Sequence, residues 1–187
     1  MRFCVLLFLA CPCFAQSFHL FGGEEVFVDT PAERCVYVGN DNGHGTGVIL
    51  KPGVVVTNFH GLVDDSDITI AGGVVQILRV VPKEDLAYLA WPVKGSPVQF
   101  ADPKVGEEVY YIGNPTDHKC IRVSLRVVEI RGNKFFVDGM VLPGSSGSGV
   151  WNLKGELVGI IEGREQIGPY QGFGLGILAK VVKDKMP

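Results

Sequence analysis

Short strand signals separated by turns are the feature that most constrains the fold of this chain. Runs rich in Val, Ile, Leu and aromatic residues, among them CVYVG, GTGVILK, GVVVTNF, LAYLAW and EEVYYIG, alternate with Gly, Pro, Asn and Asp. Gly72-Gly73 and Gly132-Asn133 are typical of hairpin turns. Helical periodicity is confined to short stretches near residues 59–63 and 178–185. The pattern predicts an all-β barrel or sandwich with a short C-terminal helix.

A segment richer in Pro, Gly and polar residues, residues 92–106, separates two groups of strands and predicts a connector between two halves. The 187 residues are enough for one domain or one compact two-lobed unit. With 47% hydrophobic and 20% charged residues, the composition is that of a globular protein. A net charge of −3 offers no basic stripe for nucleic acid, so we predict no nucleic-acid partner.

The first residues, MRFCVLLFLACPCFAQ, combine one Arg, an apolar run and small residues at the end. This order is typical of a secretory signal peptide, which we place at residues 1–15 with cleavage before Gln16. The alternatives are a buried first strand and a lipoprotein signal with Cys11 as the lipidated residue. A cleaved signal predicts a secreted or periplasmic protein with no stable membrane insertion after its removal.

Cysteine use follows from that interpretation. Of the five cysteines, Cys4, Cys11 and Cys13 fall in the predicted signal, which leaves Cys35 and Cys120 in the mature chain. Two cysteines in an exported protein allow one disulfide, and the alternative is two separate buried thiols. Neither cysteine belongs to a metal-type cluster such as CxxC, so we predict no metal site and no cofactor.

Three polar residues lie at the edges of apolar segments in an order that suggests nucleophilic catalysis. His60 follows the run VVVTNF, Asp85 precedes LAYLAW, and Ser146 lies within PGSSGSG. A serine hydroxyl needs a general base, and a carboxylate fixes the tautomer of the histidine that supplies it. The intermediate needs converging backbone N–H groups, and a glycine before the serine allows the required turn.

The sequence segments around these residues resemble those of the trypsin-like serine peptidases, particularly the HtrA/DegP-type branch. GHGTGVILKPGVVVTNFHGLVDD is similar to that family's GSGxII and VTNxHVV segments, and KEDLAYLAW is similar to its DLALL. FADPKVGEEVYYIGNP, PGSSGSGVWNLKGELVGII and GFGLGILAKVVKD are similar to its later segments. The similarity runs in register from about residue 43 to 184 and covers most of the mature chain.

The resemblance implies a fold of two six-stranded antiparallel β-barrels, at about residues 24–95 and 100–180, in one protease domain at residues 16–187. It implies a general base at His60, an orienting carboxylate at Asp85 and a nucleophile at Ser146. The N–H groups of Gly144 and Ser146 match the oxyanion donors. The implied function is an exported serine endopeptidase that cleaves polypeptides through an acyl-enzyme, without a PDZ domain after the protease.

The resemblance also places three residues near the substrate. Met140 and Val141 match positions beside the primary specificity pocket and imply an apolar pocket for a small or aliphatic side chain. Glu162 matches the lining of the cleft, where it either favours basic substrate groups or is a solvated edge charge.

Departures from the family pattern leave other functions open. Ser145 stands where the family has Asn or Asp, and Ser148-Gly149 replaces Gly-Pro. An oxyanion loop collapsed by these changes would give an inactive binding module on the same fold. A third possibility is an all-β sandwich with coincidental motifs, in which the three polar residues lie apart.

Overall fold

The computed structural model describes residues 27–62, 67–116 and 119–187, so the predicted signal peptide lies outside the described residues. The described residues form short β-strands and one α-helix. The strands are β1 (Phe27–Val28), β2 (Cys35–Asn40), β3 (Gly43–Lys51), β4 (Gly53–Asn58), β5 (Thr69–Ile70), β6 (Gly73–Val74), β7 (Ile77–Val81), β8 (Leu86–Trp91), β9 (Lys94–Gly95), β10 (Glu108–Gly113), β11 (Ile121–Arg131), β12 (Lys134–Asp138), β13 (Gly149–Asn152), β14 (Leu157–Arg164) and β15 (Gly174–Leu178). The helix, α1, spans Ala179–Lys185.

The second group of strands closes into the six-stranded barrel that the family resemblance implied. Its order is β10-β11-β12-β15-β14-β13, and every neighbouring pair is antiparallel. The turn between β11 and β12 lies at Gly132, whose φ of +60° is readily available to glycine. The predicted hairpin and the predicted C-terminal helix are both present.

The first group of strands differs from the predicted closed six-stranded barrel. It is a seven-stranded sheet in the order β6-β5-β2-β3-β4-β8-β7, which curls into a half-barrel. Its two edge strands are consecutive along the chain, and the residues between them bond elsewhere. The N–H of Val75 donates to the carbonyl of Ile68, and the carbonyl of Gln76 accepts from Ala90. The chain therefore passes from one edge to the other without a ladder between them.

One hydrophobic core joins the two sheets. Its buried members include Val56 and Tyr88 from the first sheet and Tyr111, Phe135 and Trp151 from the barrel. A second, smaller cluster fills the first sheet alone. The hydroxyl of Tyr88 also donates to the carbonyl of Val182 in α1 at 2.6 Å. Because burial of large apolar side chains is the main stabilising term, this shared core fixes the two halves against each other.

The connector between the halves follows the surface of both. Its short strand β9 pairs in parallel with β1, and Phe100 bridges to Leu157 of the barrel. Among the described residues, no helix is both long and apolar enough to cross a membrane.

Candidate active site

His60 and Asp85 lie at the same end of one strand pair. Strand β4 pairs with β8 so that Asn58 is opposite Leu86. His60 follows the first of these strands in a short 3-10 turn, and Asp85 immediately precedes the second. Asp85 adopts a left-handed φ of +53°, a conformation that aspartate tolerates better than most residues. The sheet therefore brings together two residues that are 25 positions apart in sequence.

The Asp85 carboxylate holds His60 at two points. Oδ1 accepts the backbone N–H of His60 at 2.7 Å, and Oδ2 lies 2.7 Å from ring atom Nδ1. The backbone carbonyl of Asp85 accepts from the N–H of Phe59 and from the side-chain amide of Asn58. With Nδ1 directed at the carboxylate, a neutral ring leaves Nε2 as its proton acceptor.

The pKa of His60 is raised above its ordinary value of 6.5, chiefly by the hydrogen bond to Asp85. Partial burial opposes this shift, and the negative charges of Asp85 and Glu162 add to it. The imidazole is half exposed, so water moderates these charge effects. The carboxylate thus stabilises the imidazolium form, as a general base requires.

Ser146 lies in the loop between β12 and β13 and shares a cleft with His60. This cleft has a volume of about 460 Å³, and Thr57 and His44 also line it. The hydroxyl of Ser146 donates to the carbonyl of Glu162 at 3.0 Å. The structure therefore brings the predicted nucleophile and base to one cleft, with the serine hydroxyl directed to the protein backbone.

The loop around Ser146 is held by hydrogen bonds to the backbone carbonyl groups of residues 143–146. The carbonyl of Pro143 accepts from the N–H of Thr116 at 2.9 Å, and that of Ser145 accepts from the N–H of Ser148 at 3.0 Å. In a planar trans peptide, the N–H points opposite to the preceding carbonyl. These two bonds therefore set the directions of the N–H groups of Gly144 and Ser146, the predicted oxyanion donors.

The two serines that depart from the family pattern are both fully buried. The hydroxyl of Ser145 donates to the phenol oxygen of Tyr111 at 3.1 Å. Ser148 packs against Gly113 so closely that any Cβ at that glycine would meet the serine hydroxyl. Both substitutions therefore fit into the interior beneath the loop.

The three predicted substrate-contact residues have different surroundings. Met140 is exposed, whereas Val141 is buried in the shared core. The carboxylate of Glu162 is mostly buried and forms an ion pair with Lys134 at 2.7 Å. Glu162 therefore has a counter-charge in Lys134, and its role toward a substrate remains a prediction, as do those of Met140 and Val141.

The predicted cysteine pair lies behind the same loop. Sγ of Cys120 is 3.6 Å from the carbonyl oxygen of Cys35, and the N–H of Cys120 donates to the side-chain oxygen of Asn114. The proximity of the two cysteines keeps the disulfide a prediction. In the part of the chain that the structure describes, no group of three or more metal-ligating side chains is assembled.

Sequence reasoning missed several polar residues that contact the loop or Glu162, namely His44, Thr46, Asn114, Thr116 and Lys134. The ring of His44 stacks on Tyr37 and places Nε2 3.1 Å from the carbonyl of Asn114. Polar residues inside GHGTG and IGNP, next to strands, were the available signal for three of the five.

Residues 45–160 match the family described as the trypsin-like peptidase domain. The chain belongs to this family. It is 33% identical over 95 residues to exfoliative toxin A of Staphylococcus aureus, an alignment that covers 48% of this chain and 33% of the toxin. It is 32% identical over 137 residues to a probable periplasmic serine endoprotease, DegP-like, of Ectopseudomonas mendocina strain ymp, covering 62% of this chain and 28% of that protein. The matches thus span about a third or less of these relatives.

Several solved structures have the same fold as this chain. A mutant of Rv3671c from M. tuberculosis H37Rv, in an inactive form, superposes with a TM-score of 0.72 at 23% identity, covering 84% of this chain and 86% of that one. The serine endoprotease from Yersinia pestis superposes with a TM-score of 0.71 at 24% identity, covering 82% and 61%. At these identities the likeness establishes the trypsin-like double-barrel fold alone.

Proposed function

We propose that this trypsin-like peptidase is an exported serine endopeptidase with Ser146 as nucleophile, His60 as general base and Asp85 as the orienting carboxylate. The observation that carries the proposal is the His60 ring fixed on the Asp85 carboxylate at 2.7 Å, in the cleft that Ser146 lines. A histidine oriented in this way beside a serine is the arrangement that activates a hydroxyl nucleophile.

Catalysis begins with a rotation of the Ser146 side chain. The hydroxyl leaves the Glu162 carbonyl and turns toward His60 Nε2, a change between staggered rotamers. Oγ attacks the carbonyl carbon of the scissile peptide bond while Nε2 takes its proton. The carbonyl oxygen becomes an oxyanion that accepts from the N–H groups of Gly144 and Ser146.

The intermediate collapses when the protonated His60 gives its proton to the leaving amine, and the carbon–nitrogen bond breaks. Water then attacks the ester on Ser146 with His60 again as base, which releases the acid product and restores the hydroxyl. The apolar side chains of Met140 and Val141, at positions that match the edge of the family's specificity pocket, support a small or aliphatic residue before the scissile bond. A peptide library cleaved mainly after charged residues would contradict that preference.

Export is proposed on two grounds, the N-terminal pattern of residues 1–15 and the DegP-like relative whose name describes it as periplasmic. The test is N-terminal sequencing of protein recovered outside the cytoplasm, with Gln16 expected as the first residue. Recovery of uncleaved chain from the cytoplasm alone would contradict export.

The activity is tested with a fluorophosphonate probe and mass mapping of the adduct. We expect one adduct on Ser146, lost in Ser146→Ala and in His60→Ala. The matched control is Ser148→Ala, which removes a buried serine hydroxyl from the same loop and leaves labelling intact. A folded wild-type protein without an adduct would refute the proposal and favour the inactive binding module.

A further inference from the structure

The hydroxyl of Thr46 contacts the predicted oxyanion loop from the opposite half of the protein. Thr46 lies in β3 and is fully buried. Its hydroxyl donates to the carbonyl of Gly144 at 2.9 Å. These residues are 98 positions apart in sequence, and the bond crosses from the half-barrel to the closed barrel.

The direction of this hydrogen bond is fixed by Asn114. The backbone N–H of Asn114 donates to the Thr46 hydroxyl at 2.9 Å, and its side-chain amide donates to the same oxygen at 3.3 Å. A hydroxyl has two acceptor sites and one proton. Because both acceptor sites are filled by N–H donors, the proton is left for the Gly144 carbonyl.

Asn114 is itself held from several sides. Its side-chain amide also donates to the carbonyl of Val36 at 3.0 Å, and its own carbonyl lies 3.1 Å from Nε2 of His44. Asn114 has no solvent exposure. Asn114, which donates both hydrogen bonds to the Thr46 hydroxyl, is therefore itself held in place.

Thr46 contacts the loop a second time through its backbone. Its N–H donates to the carbonyl of Ser146 at 2.8 Å. The side-chain bond and the backbone bond thus lie on either side of Ser145, at Gly144 and Ser146. A side-chain substitution removes the first bond and keeps the second, so the two contributions are separable.

The Thr46 hydroxyl holds Gly144, and glycine has more backbone freedom than any other residue type. Gly144 has a φ of +88° and no side chain to anchor it. The Thr116 bond orients the peptide group before Gly144, and the Thr46 hydroxyl orients the peptide group after it. The second plane also carries the N–H of Ser145, which donates to the carbonyl of Leu142 at 3.0 Å. Loss of the hydroxyl therefore removes one of the two bonds that fix this plane, and it loosens the rotation about the Cα–C bond of Gly144.

We infer that Thr46 is a positioning residue of the nucleophile loop, whose hydroxyl holds the Gly144–Ser145 peptide group and so fixes the two predicted oxyanion donors, Gly144 and Ser146, relative to each other. The inference rests on the proposed function of Ser146. Thr46 itself touches neither the nucleophile's hydroxyl nor the base, so its effect is on the developing charge alone.

The test compares Thr46→Val, which keeps the shape and removes the hydroxyl, with Thr46→Ser, which keeps the hydroxyl. Labelling of Ser146 by a fluorophosphonate is measured across probe concentrations, to separate the maximal rate from the half-saturating concentration. We expect the maximal rate of Thr46→Val to fall about 10- to 100-fold, less than the roughly 10²- to 10³-fold loss of a whole oxyanion donor. The half-saturating concentration stays within about twofold, and Thr46→Ser keeps the wild-type rate.

Two controls separate positioning from general damage. Tyr88→Phe removes another buried hydroxyl that donates to a carbonyl, away from the cleft, and is expected to label at the wild-type rate. The pH midpoint of labelling stays unchanged in Thr46→Val, because His60 and Asp85 are untouched. A wild-type rate in Thr46→Val, an equal loss in Tyr88→Phe or an equal loss in Thr46→Ser would each overturn the inference.

A separate readout covers the case in which the wild type is not labelled and the proposed function fails. The amide NMR signals of Gly144 and Ser146 report the loop without any reaction. We expect the Gly144 signal to shift or broaden in Thr46→Val and to stay in place in Thr46→Ser. Identical spectra for all three proteins would overturn the structural basis of the inference.

Discussion

Alanine at Gly144 is the substitution that most directly tests the geometry of the nucleophile loop. A Cβ there would lie 2.5 Å from the carbonyl oxygen of Asn114 and 2.8 Å from Nε2 of His44. Relative to an ordinary contact of about 3.4 Å, the backbone carbonyl has to retreat by roughly 0.9 Å. Its φ of +88° adds a left-handed penalty of about 1–2 kcal/mol for alanine.

The chain offers a matched control at Gly106, whose φ is +86° and whose Cβ would meet nothing within 4 Å. Gly106→Ala carries the backbone penalty alone, so we expect a loss of about 1–2 kcal/mol in urea unfolding and no change in labelling. Gly144→Ala carries the overlap as well and displaces an oxyanion donor. We expect its fluorophosphonate labelling rate to fall roughly 10²- to 10³-fold, equivalent to about 2.7–4 kcal/mol.

The assay is the rate of Ser146 labelling, measured after urea unfolding has shown that each variant is folded. Gly144→Ala labelled within about twofold of the wild type would refute the reasoning, because the loop would then tolerate the displacement. An equal loss of labelling in Gly106→Ala would also refute it, since the effect would then come from lost stability.

The remaining predictions concern charge and sulfur chemistry. Because only neutral His60 accepts the serine proton and its pKa is raised, we expect labelling to increase with pH through a midpoint above 6.5, and Asp85→Asn to lower both the midpoint and the maximal rate. The same raised pKa means that protonated His60 stabilises the fold in full below pH 6.5, and that this contribution is lost as pH rises through the raised pKa. A Ser146→Ala protein whose free energy of unfolding increases over that pH range would contradict this direction. Glu162→Gln is expected to lower the labelling midpoint less than Asp85→Asn does, because Glu162 acts on His60 through charge alone, and an unchanged midpoint would contradict the contribution of Glu162. For Cys35 and Cys120 we expect no adduct when the unfolded, unreduced protein is treated with iodoacetamide, and two adducts by intact mass would reject the disulfide.

Local sequence patterns were sufficient for the β-class, the hairpin turns and the neighbourhood of His60, whereas the closed barrel was implied by the resemblance to a known family. Glycines at 132 and 72 mark their hairpins because the backbone there has a positive φ. His60 and Asp85 each border an apolar strand, and the pairing of those two strands brings their ends together. Such features depend on residues close in sequence or on one strand pair.

Features that depend on distant contacts were not predictable. Neighbouring residues Met140 and Val141 have the same apolar character, yet one is exposed and the other is in the core. The counter-charge of Glu162 is Lys134. Lys134 is in β12 and Glu162 is in β14, and strand β15 lies between these two strands and pairs with both. The open edge of the first sheet depends on where Val75 and Gln76 direct their hydrogen bonds. Composition and periodicity carry none of this information.

The two halves of the protein contribute different parts of the proposed chemistry, so their relative position decides whether a triad exists. His60 and Asp85 belong to the half-barrel, whereas Ser146 and Gly144 belong to the loop of the closed barrel. A single buried core and the two Thr46 bonds hold these parts together. Packed interiors resist small displacements, so we do not expect sliding of one half against the other to activate the protein. The Ser146 hydroxyl, by contrast, donates to the carbonyl of Glu162, and the proposed mechanism requires only that it turn toward His60. We therefore expect reactivity to depend on that rotation, after which His60 Nε2 replaces the Glu162 carbonyl as acceptor of the hydroxyl proton and Oγ faces the carbonyl carbon of the substrate.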